Sequence, residues 1–246
     1  MTLLRGGVPA GQGAGYPGSV RKFDGWAASY NLSQLQTVRY GPVHDAVLRY
    51  ARRHIPCPGL ILDVGCGTGL LPARLVSAYG QARVVGVDAS TGMIQNAAAT
   101  TVLGRSRFAA AMAERLPFAD AVFHLVVVTL SISHWEDRAA GLAQIGRVMA
   151  PDGTLVAAGP FASRPSRVVA GPVRRSKPRL PDELSALIAG CGLRAERVEP
   201  IRSVASIADT VMVVARMPGC LAALGSADGP DRCGWYLPRA VFIHAG

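Results

Sequence analysis

Three glycines alternate with small residues at 63–69, which read Asp-Val-Gly-Cys-Gly-Thr-Gly. The apolar run at 60–64 predicts a buried strand before them, and the apolar periodicity at 70–79 predicts a helix after them. Residues without bulky side chains let a ligand lie directly against the main chain, and ligands of doubly wound sheets bind at such strand-to-helix turns. The stretch predicts a nucleoside-binding site; the alternative is a turn that is merely tight.

Two other nucleotide-binding patterns fit this turn poorly. The dinucleotide fingerprint needs Gly or Ala three residues after its second glycine, and this chain has Leu70 there. A Walker loop ends in Gly-Lys-Ser or Gly-Lys-Thr, and neither sequence follows the glycines. An NAD-dependent redox enzyme is therefore the weakest of the possible functions.

A carboxylate follows the second predicted strand, at 83–87. Asp88 comes directly after this strand, and the carboxyl ends of neighbouring parallel strands meet at one edge of a sheet. We therefore expect Asp88 beside the glycine turn, where its oxygens can accept hydrogen bonds from both hydroxyls of a ribose.

The glycine turn resembles motif I of class I S-adenosylmethionine-dependent methyltransferases, in which an acid and one further residue precede Gly-x-Gly-x-Gly. The resemblance implies a Rossmann-like fold and S-adenosylmethionine as the cofactor. It places cofactor-binding residues at Asp63, Gly65, Cys66, Gly67 and Gly69.

Later segments resemble the same family in the family's order. Residues 89–93 contain a Met that resembles the family residue near the adenine, although ordinary helix packing explains it as well. Residues 113–118, Ala-Glu-Arg-Leu-Pro-Phe, are similar to a family segment after the third strand. The family's adenine-reading Asp is replaced here by Met112. The cofactor contacts implied by these segments and the fourth strand are Ala89, Met93, Met112, Ala113 and Thr129.

The fourth predicted strand, at 125–131, runs into Ser133-His134-Trp135, which resembles the family sequence Leu-His-His-Trp. Ser133 stands in place of the first histidine, and His124 replaces the Asp that precedes this strand. Residues 148–156 are similar to the family's turn into the fifth strand. The matched segments cover about 60–160.

Residues 23–30, Phe-Asp-Gly-Trp-Ala-Ala-Ser-Tyr, resemble the entry motif Phe-Asp-x-x-Ala-x-x-Tyr of quinone C-methyltransferases and carrier-protein O-methyltransferases. In these enzymes the tyrosine approaches the methionine end of the cofactor, which implies that role for Tyr30. The alternative is a half-buried aromatic side chain on a helix.

Methyl transfer from a sulfonium is an in-line displacement that needs alignment more than catalytic side chains. If the acceptor is a hydroxyl or an acidic carbon, His134 is the candidate base, although a structural histidine in a loop is common. The chain has no Asn/Asp-Pro-Pro-Tyr/Phe sequence after the fourth strand, which argues against amino-group methylation of DNA or protein. We expect a small-molecule acceptor methylated on O or C; an RNA methyltransferase and a non-catalytic S-adenosylmethionine-binding protein are the alternatives.

The net charge is +10, and much of the excess lies in one stretch without acids. Such a stretch is either a solvated loop or a surface that attracts an anionic acceptor or RNA. Its basic residues are Arg164, Arg167, Arg174, Arg175, Lys177 and Arg179.

The elements alternate as expected for an α/β fold. Predicted helices lie within 23–53 and at 70–79, 92–100, 137–149 and 181–189, and predicted strands at 60–64, 83–87, 107–110, 125–131, 154–158, 193–198 and 210–215. They predict a mostly parallel seven-stranded sheet with helices on both faces and a terminal antiparallel hairpin. Residues 21–217 would form the methyltransferase domain, residues 1–20 a disordered tail, and 218–246 a tail without a structural assignment.

The five cysteines are scattered and lack metal-ligand spacing, so we expect a metal-free protein of a reducing compartment, the cytoplasm. No apolar run is long enough for a membrane span, and the N-terminal stretch lacks the apolar core of a signal peptide.

Overall fold

The computed structural model describes residues 17–27, 30–32, 40–99, 104–160, 182–201 and 210–218. Most of the predicted tails at 1–20 and 218–246, and the basic stretch at 164–179, lie outside the described residues. The helices are α1 (Pro17–Trp26), α2 (Gly41–His54), α3 (Leu70–Ala78), α4 (Thr91–Ala99), α5 (Arg138–Val148) and α6 (Asp182–Gly190). The strands are β1 (Leu60–Val64), β2 (Arg83–Asp88), β3 (Ser106–Ala110), β4 (Phe123–Thr129), β5 (Met149–Gly159), β6 (Arg194–Pro200) and β7 (Val211–Arg216).

The strands form one seven-stranded sheet in the order β3-β2-β1-β4-β5-β7-β6. Strands β1 to β5 pair in parallel, and β7 runs antiparallel to both β5 and β6. The predicted fold, a mostly parallel sheet ending in an antiparallel hairpin, is confirmed.

Alternation along the central strand divides the core into two layers. Leu62 and Val64 of β1 belong to a cluster that includes side chains of α5 and α6, whereas Ile61 belongs to a cluster with α2 and α3. Successive side chains of a strand point to opposite faces, so an apolar run is what a strand covered on both faces requires.

The chain order reverses between β1 and β4, because the sheet continues from β1 to β2 on one side and to β4 on the other. In open α/β sheets, ligands bind outside the carboxyl ends of the strands at such a point. The glycine turn, Asp88 and Thr129 all lie at this edge.

Two element predictions differ from the structure by more than two residues, and the others agree within two. The predicted helical region at 23–53 is divided into α1, a 3₁₀ turn at Tyr30–Leu32 and α2, and α1 begins four residues before the predicted domain start. Strand β5 begins at Met149, which pairs with Phe123, rather than after the predicted turn at 151–153. The turn is still marked by Asp152, whose φ is +62°.

No helix in the described part of the chain combines the length and apolar character that a membrane span requires. The same residues contain no group of three His, Cys, Asp or Glu side chains arranged to hold a metal ion.

Candidate functional site

The glycine turn adopts a backbone that side chains rarely allow. Gly65, Gly67 and Gly69 have φ angles of +79°, +53° and +81°, in the left-handed region that favours glycine. The N–H groups of Gly65 and Cys66 both donate to the carbonyl oxygen of Val87, at 2.8 and 3.0 Å. The turn is thus fixed to the end of β2.

The three glycines have different surroundings. A Cβ atom on Gly65 would lie 2.4 Å from Cβ of Ser131, and one on Gly69 would lie 3.0 Å from Cζ of Phe108. A Cβ on Gly67 would meet only Cε1 of Tyr30, at 3.7 Å. Gly67 is therefore the glycine whose open side faces a space that a ligand can fill.

Cys66 and Gly69 lie away from that space. The Cys66 thiol is buried beside Gly86, where an added Cβ would come within 2.8 Å of Sγ. Burial raises the pKa of this thiol well above its ordinary value, and the Asp63 and Asp88 charges add to the effect. Both residues, which the sequence placed at the cofactor, pack the turn against β2, β3 and α4.

A pocket opens at the carboxyl edge of the sheet above Gly67. Of the residues predicted to bind the cofactor, those lining it are Tyr30, Gly65, Gly67, Asp88, Ala89, Met93, Met112, Ala113 and Thr129. His134 also lines it. Asp63 does not reach its surface but lies directly beneath the turn.

Asp88 connects the glycine turn to the start of α4. Its Oδ2 accepts from the N–H of Gly67 at 2.9 Å, and its Oδ1 accepts from the N–H of Ser90 at 2.9 Å. Each oxygen retains a lone pair for a further donor. Burial raises the pKa of the Asp88 carboxyl, while the N–H groups of Ser90 and Gly67 oppose that rise.

The Asp63 carboxyl is completely buried, and neither of its oxygens has a hydrogen-bond partner among the described residues. Burial, together with the nearby Asp88 charge, raises the pKa of Asp63 well above its ordinary value. An unpartnered buried carboxyl is costly for a protein unless a donor or cation satisfies it. Two carboxyl groups, those of Asp63 and Asp88, thus lie close to the glycine turn at the bottom of the pocket.

Aromatic side chains form the wall opposite the sheet. The ring of Tyr30 lies 5.6 Å from that of Tyr40 and 5.2 Å from that of Trp26. The hydroxyl of Thr68 donates to Oδ1 of Asn31 at 2.5 Å, so the 3₁₀ turn carrying Tyr30 is fastened to the glycine turn.

The segment after β4 supplies the remaining wall. Leu130 has φ +56° and donates its N–H to Ala158 at 2.7 Å, so the chain bends sharply where β4 ends. His134 follows in a 3₁₀ turn and is exposed, with its ring 5.2 Å from that of Phe23 in an edge-to-face arrangement. Trp135 packs on Gly141 of α5.

The pocket is acidic. Its charged lining residues within the described part of the chain are Asp88, Glu114 and Glu136, and no Arg or Lys is among them. Such a lining favours a ligand that carries positive charge.

Comparison with known proteins agrees with this geometry. The family model described as a methyltransferase domain matches residues 61–153, which run from β1 into β5. A malonyl-(acyl-carrier protein) O-methyltransferase of Hahella chejuensis is 39% identical over 100 residues, 41% of this chain and 36% of that protein. The O-methyltransferase rstn1 of Aspergillus nomiae is 32% identical over 157 residues, 60% of this chain and 69% of that protein.

The chain belongs to the class I S-adenosylmethionine-dependent methyltransferases. Demethylmenaquinone methyltransferases match as well, so the resemblance to the quinone and carrier-protein branch is confirmed. The chain spans between about a third and just over half of the length of the first curated relatives that it matches.

The methyltransferase fold is shared with solved structures. The N-methyltransferase NodS of Bradyrhizobium japonicum, solved with S-adenosyl-L-homocysteine, superposes with a TM-score of 0.64 at 18% identity. The superposition covers 81% of this chain and 98% of NodS.

The residues of the pocket fit the family's cofactor, S-adenosylmethionine. The open side of Gly67 and the remaining lone pairs of the Asp88 oxygens match a ligand with a ribose, and the acidic lining matches its positively charged groups. The cofactor assigned from motif I is therefore consistent with the donors and acceptors present.

Several pocket residues were not singled out from the sequence: Val20, Phe23, Tyr40, Ser90, Glu114, Leu130, Ser131, Trp135 and Glu136. Six of them lie within segments whose resemblance to the family was recognised: Phe23, Ser90, Glu114, Leu130, Ser131 and Trp135. Membership of a recognised motif is therefore the sequence signal that could have identified these residues as part of the pocket. Nothing in the sequence around Tyr40 marks it as a wall of this pocket.

The three departures from the family pattern, at Met112, His124 and Ser133, have structural positions. Met112 lines the pocket. His124 Nδ1 accepts from the N–H of Leu60 at 3.3 Å, so this side chain fastens the start of β1. Ser133 is exposed next to His134.

Proposed function

We propose that this methyltransferase transfers the methyl group of S-adenosylmethionine to an oxygen or carbon atom of a small molecule. The observation that carries the proposal is the pair of carboxyl groups at the glycine turn, Asp63 without a partner and Asp88 open to further donors. A nucleoside can donate its ribose hydroxyls to Asp88, and a positive charge on it is attracted by the Asp63 carboxylate through the turn without touching it.

The residues of the site perform alignment and exclusion of water. Bound S-adenosylmethionine supplies an electrophilic methyl group on a positively charged sulfur. Asp88 binds the ribose and Asp63 stabilises positive charge near the glycine turn. The rings of Tyr30 and Tyr40 favour a cation by their negative faces. Phe23 and Trp135 shield the pocket from solvent.

His134 is the proposed base for an acceptor with an acidic hydroxyl or carbon. It lines the pocket, is exposed to solvent and follows the strand that carries Thr129. Imidazole is the side chain that most often acts as a general base, and the exposure of His134 gives the proton a path to solvent.

The acceptor site is proposed for a small molecule, supported by relatives named malonyl-(acyl-carrier protein) O-methyltransferase and demethylmenaquinone methyltransferase. An anionic acceptor remains a prediction that depends on the basic stretch at 164–179, because Glu114 and Glu136 disfavour an anion beside them. A cytoplasmic location is proposed on the cysteines, because Cys66 and Cys191 carry free thiols in the part of the chain that the structure describes.

Titration calorimetry tests the cofactor, with S-adenosylmethionine, S-adenosylhomocysteine and NAD examined in parallel. Micromolar binding of the first two alone supports the proposal, and binding of NAD, or of none, contradicts it. A radiolabelled methyl donor then tests transfer to phenols, quinols, carboxylic acids, carrier-linked acyl groups and RNA. Tight cofactor binding without transfer to any acceptor would favour a non-catalytic binding protein, and transfer to RNA alone would favour the RNA alternative.

A further inference from the structure

Helix α1 extends across the pocket from the β2 side of the sheet to the β4 side. Its residues Val20 and Phe23 line the pocket. On one side the helix contacts α4, which follows β2. On the other, the Phe23 ring meets His134, which follows β4. Helix α1 therefore covers the cofactor pocket as a lid fixed at two sides.

Asp24 makes the polar attachment to α4. Its Oδ1 accepts from the hydroxyl of Ser90 at 2.5 Å and from the N–H of Gly92 at 3.1 Å. The first N–H groups of a helix have no partner within it, and a carboxylate there is favoured by the helix dipole. A residue of the lid thus supplies a missing acceptor at the start of α4.

Ser90 connects this attachment to the cofactor site. Its hydroxyl accepts from the N–H of Met93 at 3.1 Å while donating to Asp24. Its own N–H donates to Asp88 at 2.9 Å. The carboxylate assigned to the ribose and the carboxylate of the lid are therefore joined through one buried serine.

The contact between α1 and α4 is also closely packed. A Cβ on Gly92 would lie 3.3 Å from Cβ of Ala27 and 3.4 Å from the main chain of Asp24, so the glycine lets the helices approach. The side chain of Asn96 donates to the carbonyl oxygen of Ala27 at 2.8 Å, at the end of α1. The lid is fitted to the α4 surface at several points.

We propose that Asp24 is a positioning residue: it holds α1 closed over the pocket and, through Ser90 and Asp88, couples that closure to cofactor binding. The inference rests on the proposed function in taking S-adenosylmethionine as the ligand. Ligand on Asp88 stabilises the 88–92 segment, and the closed lid stabilises the same segment. Each event therefore favours the other.

The test measures S-adenosylhomocysteine binding and lid protection in the full chain. Asp24→Ala is expected to weaken binding about tenfold, mainly by faster dissociation, because a lid controls escape of the ligand. In the wild type, S-adenosylhomocysteine should slow amide hydrogen exchange in residues 17–27, and in Asp24→Ala this ligand-dependent slowing should be lost. The thermal midpoint without ligand should fall by only about 2–4 °C, because the loss of the Asp24 acceptor is comparable to the loss of one helix cap.

Gly92→Ala tests the same contact between α1 and α4 by a steric clash instead of by the loss of a hydrogen bond. Ala is a better helix former than Gly, so the substitution should stabilise α4 itself. The added methyl group, however, presses on Ala27 of the lid. It should also speed dissociation and reduce protection. Asp45→Ala is the matched control, because Asp45 pairs with Arg74 between two other helices and does not line the pocket.

The inference would be overturned, and the proposed function left intact, if both Asp24→Ala and Gly92→Ala kept the wild-type affinity, dissociation rate and protection from hydrogen exchange. An equal loss in Asp45→Ala would overturn it too, since the effect would not depend on the lid. Failure of the wild type to bind S-adenosylhomocysteine would contradict the proposed function, and the inference with it.

Discussion

Ser131 occupies the space that a side chain on Gly65 would need: a Cβ atom on Gly65 would lie 2.4 Å from the serine Cβ and 2.5 Å from its Oγ. The Ser131 hydroxyl donates to the carbonyl oxygen of Val64 at 3.0 Å. The segment after β4 thus closes directly on the end of β1. The shape of the glycine turn is set by this contact as well as by any ligand.

Gly65→Ala should therefore destabilise the protein by about 3 kcal/mol or more, from backbone strain plus the clash with Ser131. Gly192→Ala is the matched control, because Gly192 has φ +75° and nothing within 4 Å of an added Cβ. Strain alone should cost the control about 1–2 kcal/mol. Urea unfolding measures both, and equal losses would mean that the Ser131 contact is unimportant.

Asp63→Asn should stabilise the ligand-free protein at neutral pH. Because the folded-state pKa of Asp63 lies well above 3.8, the native state retains a proton that the unfolded chain loses as pH rises. The free energy of unfolding therefore falls from about pH 4 until the pH passes the folded-state pKa. Asn cannot ionise, so the free energy of unfolding of the variant should not show this decrease with pH.

The same Asp63→Asn variant should bind S-adenosylmethionine about threefold more weakly at pH 8, because the ligand's positive charge loses the attraction of an ionised carboxylate that lies beneath the turn and outside the pocket surface. Urea titrations at pH 5 and pH 8, and calorimetry at pH 8, measure the two effects. Identical pH dependence of stability in variant and wild type would contradict the assignment of a buried, proton-holding carboxyl.

Asp88→Ala should weaken S-adenosylhomocysteine binding by at least about tenfold, since two charge-assisted hydrogen bonds to a ribose would be lost. Calorimetry measures the affinity. Glu199→Ala serves as the control, because its carboxylate pairs with Arg197 at 2.6 Å on β6 and does not line the pocket. Unchanged affinity in Asp88→Ala would refute the ribose assignment.

The central strands were predictable because burial on both faces leaves a clear sequence pattern. The apolar run of β1 was predicted with its observed bounds, Leu60–Val64, and Asp88 was correctly expected at the edge beside the glycine turn. Both follow from local sequence and from the rule that parallel strands end at a common edge.

Long-range contacts explain what the sequence did not predict. Asp24 and Gly92 are 68 residues apart, and no local pattern indicates that α1 crosses α4. Motif membership also did not separate Gly67, which faces the pocket, from Gly69, which packs on Phe108. Strand β5 begins early because Met149 pairs with Phe123, whereas Pro-Asp-Gly alone predicts a turn.

Gly141→Ala should disturb the Trp135 wall, because an added Cβ would lie 2.5 Å from Cε3 of the indole. Despite Ala's higher helix propensity, we expect a loss of about 1–2 kcal/mol and a shift in tryptophan fluorescence. Gly190→Ala, with nothing within 4 Å at the end of α6, should be neutral or stabilising by about 0.5–1 kcal/mol. Unchanged fluorescence in Gly141→Ala would show that the ring is not held by this contact.

His134→Ala separates catalysis from binding. If His134 accepts the acceptor's proton, turnover with an acceptor found in the screen should fall about 100-fold. Affinity for S-adenosylhomocysteine should change less than about threefold, since Asp88 and the glycine turn remain intact. Ser133→Ala is the control, because Ser133 is the exposed neighbour of His134. Full turnover in His134→Ala would remove the histidine from the mechanism and leave alignment as the protein's contribution to methyl transfer.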